Sequence, residues 1–388
     1  MSKHLAIFDT TLRDGLQTPG LPAISRKERL RIAQMLESMG VDVIEAGFPA
    51  SSPENFASVE LIADTIKDST VCALAMATHD TVQIAAEALA RAKRSRVHIF
   101  LGSSPKHLKK LGLTHKEAVV RALSSIRHAT KFFGEIEFSP EDAGRADMDF
   151  LCTLIEQTIA AGATVINIPD TVGYCMPGEF GERIRTLRNR VPNADKIIWS
   201  VHCHDDFGCA TANTLAGVKA GARQVEGTLY QLGERAGNAA WEEVVMAVRK
   251  RQDYFGCDSR IDTSQLWKAA RIVEKITNVA IPPNKAVVGK NAFSHESGIH
   301  QDGVLKDPGT YEVMDPCEVG WQGRSLPLGA QSGRSGVRGR LHTLGIKLND
   351  NQFEEVFARF KNYADSQGPV GDESLQGIVT TVLDMTVA

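Results

Sequence analysis

Eight short apolar or β-branched runs, each followed by a stretch of helical period, recur along the first two thirds of the chain, and no other feature restricts the fold as tightly. The runs are Leu5–Phe8, Val43–Ala46, Val71–Met76, Val97–Phe100, Glu135–Phe138, Val165–Ile168, Ile197–Val201 and Gln224–Thr228. Between them lie amphipathic stretches such as Ser25–Met39, Asp80–Lys93, Lys116–Phe132, Asp149–Ala161, Pro177–Arg190 and Ala210–Ala220. Strands separated by helices must run parallel. Eight units over about 250 residues match a closed (β/α)8 barrel of the α/β class, whereas an open doubly wound sheet has fewer strands. Ala239–Lys250 supplies the last barrel helix, and Ser25 with Glu28 and Thr114 with Glu117 have the spacing of helix-entry capping boxes.

The pattern changes after residue 257. Asp262–Thr277 reads as helix, Ile281–Gly336 as an irregular glycine-rich tract, and Asn351–Ala364 as helix again. Residues 1–257 are therefore expected to form a catalytic barrel, and residues 258–388 a smaller, mainly helical and irregular region. An irregular tract this long is functional or disordered, and its NAFSHESGIHQDG string argues for function. With 43% hydrophobic residues the chain is too apolar for a disordered protein. Its 44 Lys and Arg against 47 Asp and Glu give a net charge of -3, which argues against nucleic acid or a membrane surface as partner and for small molecules. Seven scattered cysteines, an N-terminus that enters a strand directly and no run of 18 apolar residues predict a reduced, cytoplasmic protein without a membrane span.

A (β/α)8 barrel carries its active site at the C-terminal strand ends. Those ends hold Asp9, Arg13 and Asp14, then Glu45, His98, Ser139 and Glu141, Asp170 and Thr171, His202 and His204, and Glu234 and Asn238. In VHCHDD, His202 and His204 are two residues apart on a strand and point the same way, with Cα atoms roughly 7 Å apart, while Cys203 points to the other face. Asp14 and the Asn238 amide oxygen come from strands that adjoin in a closed barrel. Two imidazoles, a carboxylate and an amide oxygen suit a divalent cation such as Zn, Mn, Mg or Co with open water positions.

FDTTLRDG (Phe8–Gly15), VINIPDTVGY (Val165–Tyr174), HCHDDFG, QLGERAGNAA (Gln231–Ala240) and FSHESGIHQDGVLK (Phe293–Lys306) together resemble the 2-isopropylmalate synthase and homocitrate synthase group of acyl-CoA condensing enzymes. That group shares a metal-dependent barrel superfamily with HMG-CoA lyase. The likeness runs from about Phe8 to about Asp365, and the isopropylmalate branch fits best. The resemblance implies a Claisen-type condensation: acetyl-CoA attacks a metal-held 2-oxo acid, and thioester hydrolysis leaves a 2-substituted malate and CoA. It implies Asp14, His202 and His204 as metal ligands with Asn238 as a fourth or near ligand, and Arg13 at the developing alkoxide or enolate. His98, Ser139 and Thr171 match substrate-contacting positions. Glu141 and His300 match a pair that removes the acetyl methyl proton, and Tyr311 matches a tyrosine beside the acyl group. Arg145 matches an arginine that holds a substrate carboxylate in homocitrate synthases, or else anchors its own turn. Glu45 fits direct participation less well than a plain ion pair with Arg13. In related dimers the region of His300 and Tyr311 caps the neighbouring subunit's barrel, so a homodimer is expected.

The alternatives are a homocitrate, citramalate or phosphonomethylmalate-type synthase, or a C–C lyase, which should carry a glycine-cysteine loop that LYQLGERAGN lacks. Three departures from the isopropylmalate pattern bear on the acceptor. Leu16 replaces a glutamate, Met76 an arginine, and LGAQSGR, with Gln331, the usual LGKHSGR. Together they predict a modified acceptor pocket. The leucine-pathway enzymes begin a regulatory domain near the point where this sequence stops, so feedback through one is not expected.

Overall fold

The computed structural model describes residues 3–387. Eight parallel strands close into a barrel in sequence order: β1 Ala6–Asp9, β2 Val43–Gly47, β3 Thr70–Met76, β4 Ser95–Gly102, β5 Glu135–Glu141, β6 Val165–Asp170, β7 Ile198–Cys203 and β8 Gln224–Gly227. Closure brings Phe8 beside Glu226 and Asp9 beside Gly227. The loop after β1 thus meets the loop after β8, as the expected pairing of Asp14 with Asn238 requires. Both expected capping boxes form, at the entries to Arg26–Ser38 and His115–Ala129. The inner positions alternate with period two: Leu74, then His98 and Phe100, Ser139 and Glu141, Asn167 and Pro169, His202 and His204, and Glu226 all line one cavity.

Contacts divide the chain into two compact units, one running to Ile281 and the other from Pro282 onward. The first unit carries, beyond residue 257, the helix Leu266–Thr277, whose Thr277 hydroxyl lies 2.9 Å from the Tyr230 hydroxyl. Cys257–Asp258 adds a two-residue parallel pairing with Lys3–His4. The second unit has its own core of Leu328, Val337, Leu341, Phe353, Val356, Phe360, Leu375 and Val379, gathered by helices Arg334–Thr343, Asp350–Gln367 and Asp372–Val387. The tract expected to be irregular contains a nine-residue helix, Gly298–Lys306. Its glycines at 298 and 303 hide it from propensity. Tertiary contacts hold it instead: buried Gln301 donates to the carbonyls of His295 and Pro327. Among the described residues no helix is long and apolar enough to cross a membrane.

Candidate active site

The DTTLRD string divides its labour. Asp9 is fully buried and accepts from the Thr11 amide, the Thr11 hydroxyl and the Trp241 indole N–H, so it ties the β1 loop to the last barrel helix. Thr10 donates to Glu45 Oε2 at 2.6 Å. These residues shape the loop; Arg13 and Asp14 reach the cavity.

Asp14, His202 and His204 converge. The two Nε2 atoms are 3.2 Å apart, and Asp14 Oδ2 lies 4.0 Å from that of His202 and 3.7 Å from that of His204. All three residues are buried, and their ligand atoms lie within 4.8 Å of one another. Burial pushes both imidazoles down to about 4, against the pull of Asp14. They are therefore neutral near pH 7, with lone pairs to offer. Burial would raise the Asp14 carboxyl, but Arg13 and the two imidazoles outweigh it and hold it below the usual carboxylate range. The Asn238 amide donates to Asp14 Oδ1 at 2.7 Å and to the Leu232 carbonyl, while its own Oδ1 is buried without a partner. Two facing imidazole nitrogens, a carboxylate and an orphaned amide oxygen are the donor set that a divalent cation satisfies, so the residues fit a metal site.

The loop between β8 and Asn238 is built for this approach. Gly233 has φ +144, and a Cβ there would strike the Asn238 amide and the Asp14 carboxylate. Tyr230, Gln231 and Arg235 all take positive φ in the same loop, a concentration of backbone strain of the kind found at functional sites.

A second chain of contacts crosses the barrel mouth. Arg13 donates from Nε to Glu45 Oε2 and from Nη1 to Asp14 Oδ2, each at 2.7 Å. Glu45 is the ion-pair partner of Arg13 and does not line the cavity. His98 sits 2.8 Å from Glu45 Oε1 through Nδ1 and 2.7 Å from Ser139 Oγ through Nε2. Burial would lower His98, but Glu226 and Glu45 raise it to about 9, so it is an imidazolium that donates to both. Asn167 Nδ2 also donates to Ser139 Oγ.

The cavity has a volume of about 310 Å³. Of the residues expected at the site, Arg13, Asp14, His98, Ser139, Glu141, Thr171, His202 and His204 line it, and buried Asn238 stands behind Asp14. Arg145 does not line it: its guanidinium forks onto Asp142, which also accepts from His107. His300 and Tyr311 belong to the second unit, where their rings stack with centroids 4.1 Å apart. Of the departures, Leu16 and Met76 are not among the residues that line the cavity, and Gln331 belongs to the second unit. Sequence reading missed Gln17, Phe48, Leu74, Phe100, Asn167, Pro169, Glu226 and Arg235. The available signal for some of them was the two-residue step along a strand, which from Thr171 leads back to Pro169 and Asn167 and from His98 on to Phe100.

Comparison with known proteins agrees with this geometry. The HMGL-like family matches residues 4–273, and the homocitrate synthase post-HMGL domain-like family residues 287–368. The 2-isopropylmalate synthase of Dechloromonas aromatica is 53% identical over 382 residues, 98% of this chain and 74% of that protein. That of Leptothrix cholodnii is 54% identical over 383 residues, with the same coverage of 98% and 74%. Among solved structures, the hydroxymethylglutaryl-CoA lyase of Pseudomonas aeruginosa superposes with a TM-score of 0.61 at 21% identity, covering 72% of this chain and 95% of that one. With its barrel, its buried Asp-His-His cluster and more than half its residues shared with these synthases, the chain belongs to the 2-isopropylmalate synthase family of acetyl-CoA-condensing enzymes.

Proposed function

We propose that the acceptor is a 2-oxo acid with a short, branched, apolar side chain, of the 3-methyl-2-oxobutanoate type. The observation that carries this reading is the make-up of the cavity lining. Phe48, Leu74 and Phe100 contribute apolar surface, and the cations that line it are already paired, Arg13 with Glu45 and Asp14, His98 with Glu45, and Arg235 with Asp206. A distal carboxylate, as in 2-oxoglutarate, would find no unpaired cation there, since Arg145 is committed to Asp142.

Asp14, His202 and His204, with Asn238 Oδ1 as a fourth donor, would hold a divalent cation of the Zn, Mn, Mg or Co kind, which when bound supplies Lewis-acid polarisation of a carbonyl. Arg13, fixed from two sides, directs its positive charge at the oxyanion that develops as the acetyl carbon attacks. Ser139 Oγ already accepts from His98 and Asn167, so its own proton is left to donate to the acceptor carboxylate. Thr171 Oγ1 accepts from the Asp142 amide and is left with its proton in the same way. Removal of the acetyl methyl proton falls to Glu141, which lines the cavity with His107 Nε2 3.7 Å away, and to His300, with Tyr311, stacked on His300, beside the acyl group. The second region, 258–388, would bring these two rings to the barrel of a partner copy in a homodimer. Exposed Ile299, Tyr311 and Val313 around His300 support a surface that is covered in the assembly. The free state of all seven cysteines fits a reducing, cytoplasmic setting.

The test is release of CoA thiol from acetyl-CoA with a divalent metal and a panel of 3-methyl-2-oxobutanoate, pyruvate, 2-oxoglutarate and phosphonopyruvate. The branched acceptor should give the highest kcat/KM. Preference for 2-oxoglutarate, or cleavage of a hydroxyacyl-CoA with no condensation, would overturn the reading.

A further inference from the structure

Glu226 lines the cavity, and beyond its charge acting on His98 it has no role in the chemistry described above. It is 1% exposed, no N–H or O–H donor is aligned on either carboxylate oxygen, and the Glu137 carboxyl lies within hydrogen-bond reach of it. A buried carboxylate left in that state is costly and calls for an explanation. Its Oε2 lies 3.2 Å from Nδ1 of His202, a ring nitrogen that is itself buried and without an aligned partner. The other nitrogen of the same ring, Nε2, is the one that faces His204 and Asp14.

We propose that Glu226 is a positioning residue for His202, accepting from Nδ1–H so that the imidazole is locked in the tautomer and orientation that presents the Nε2 lone pair to a cation. Register places it there. Glu226 pairs with His202 across β7 and β8, and with Phe8 across β8 and β1, so its side chain points inward directly below the triad. The layer beneath is rigid: Arg96 joins Glu135, Glu137 and Gln224, and Gln224 joins Ser200. Backing of a ligand histidine by a carboxylate fixes the ring and raises its basicity, and its loss weakens metal affinity by about 10–100-fold. Glu226 also lines the cavity, so water that entered without a cation would meet this carboxylate.

This inference rests on the metal-site reading, and the experiment separates the two. Mn²⁺ and Co²⁺ dissociation constants are measured by calorimetry on wild type, the isosteric Glu226→Gln, Glu226→Ala and the control Ser200→Ala, with circular dichroism for folding and the visible spectrum of the Co²⁺ form. Glu226→Gln should bind several-fold more weakly and Glu226→Ala about 10–100-fold more weakly, with a shifted Co²⁺ spectrum, while Ser200→Ala binds as wild type. Should Glu226→Ala fail to fold, Glu226→Gln decides alone. Wild-type affinity and spectrum in folded Glu226→Gln, or equal weakening in Ser200→Ala, overturns the positioning role and leaves the metal site standing. A wild type that binds neither ion overturns the metal site and this inference together.

Discussion

The barrel mouth and the layer directly beneath it are made of the same residue types, yet they differ in how completely their polar atoms are paired. Beneath, Arg96 donates to Glu135, Glu137 and Gln224, and Gln224 donates to Glu137 and Ser200, so each charged group is enclosed by partners. At the mouth, the Nδ1 atoms of His202 and His204 and Oδ1 of Asn167 and Asn238 are buried without an aligned partner. A satisfied buried network holds the barrel together; an unsatisfied one is reserved for something that binds. Many barrels fill this interior with branched apolar side chains. Here a polar layer of Arg96, Glu137 and Gln224 lies in the interior, beside a small apolar cluster of Phe8, Val43 and Cys72.

The largest way to break the comparison is at the mouth. His202→Ala should lose bound metal and turnover to background with little change in urea stability, and Arg13→Gln should lower kcat by about 10²–10³-fold and also destabilise the fold, because it leaves buried Glu45 and Asp14 without their cation. Metal retained at full turnover in His202→Ala would place the ligands elsewhere. One layer down the expectation inverts. Arg96→Ala leaves carboxylates buried without their cation and should cost about 3–5 kcal/mol by urea unfolding, with metal affinity retained by the folded fraction. If Arg96→Ala instead lost metal at wild-type stability, the two layers would not be distinct.

A smaller effect tests the boundary between them. His98 carries its proton up to about 9 in the fold, where Glu226 and Glu45 overcome the burial that would lower it, against 6.5 for a free imidazole. The folded protein keeps a proton that the unfolded chain gives up. The stability gained is therefore complete below about pH 6.5 and is lost as pH climbs through about 9. The Tm difference between wild type and His98→Gln should follow that window, and a difference constant from pH 6 to 10 would remove the imidazolium from the account. The smallest effect belongs to Arg145. Its fork onto Asp142, at φ +62, makes it a loop anchor, so Arg145→Ala should cost no more than about 1 kcal/mol and leave the acceptor KM unchanged. A large rise in KM would return it to the substrate.

The rim residues were legible because barrel topology assigns strand ends to the site before any coordinate is known. Asp14, His202, His204 and Asn238 needed only that rule and the closure of β1 on β8. Arg145 could not be settled in that way, because a guanidinium on a turn reaches several directions and the choice of Asp142 depends on a left-handed backbone at that residue. Glu226 was hidden for a different reason: in a four-residue strand the alternation is too short to show which face is inward.

Sequence alone determined the eightfold alternation, the capping boxes and the crowding of polar residues at strand ends, since each is a local pattern with a local physical cause. Only the tertiary structure decided which of those polar groups are paired and which are left waiting. Pairing depends on side chains far apart in the chain, such as Asp14 with Asn238 and Arg96 with Gln224, meeting inside one closed sheet.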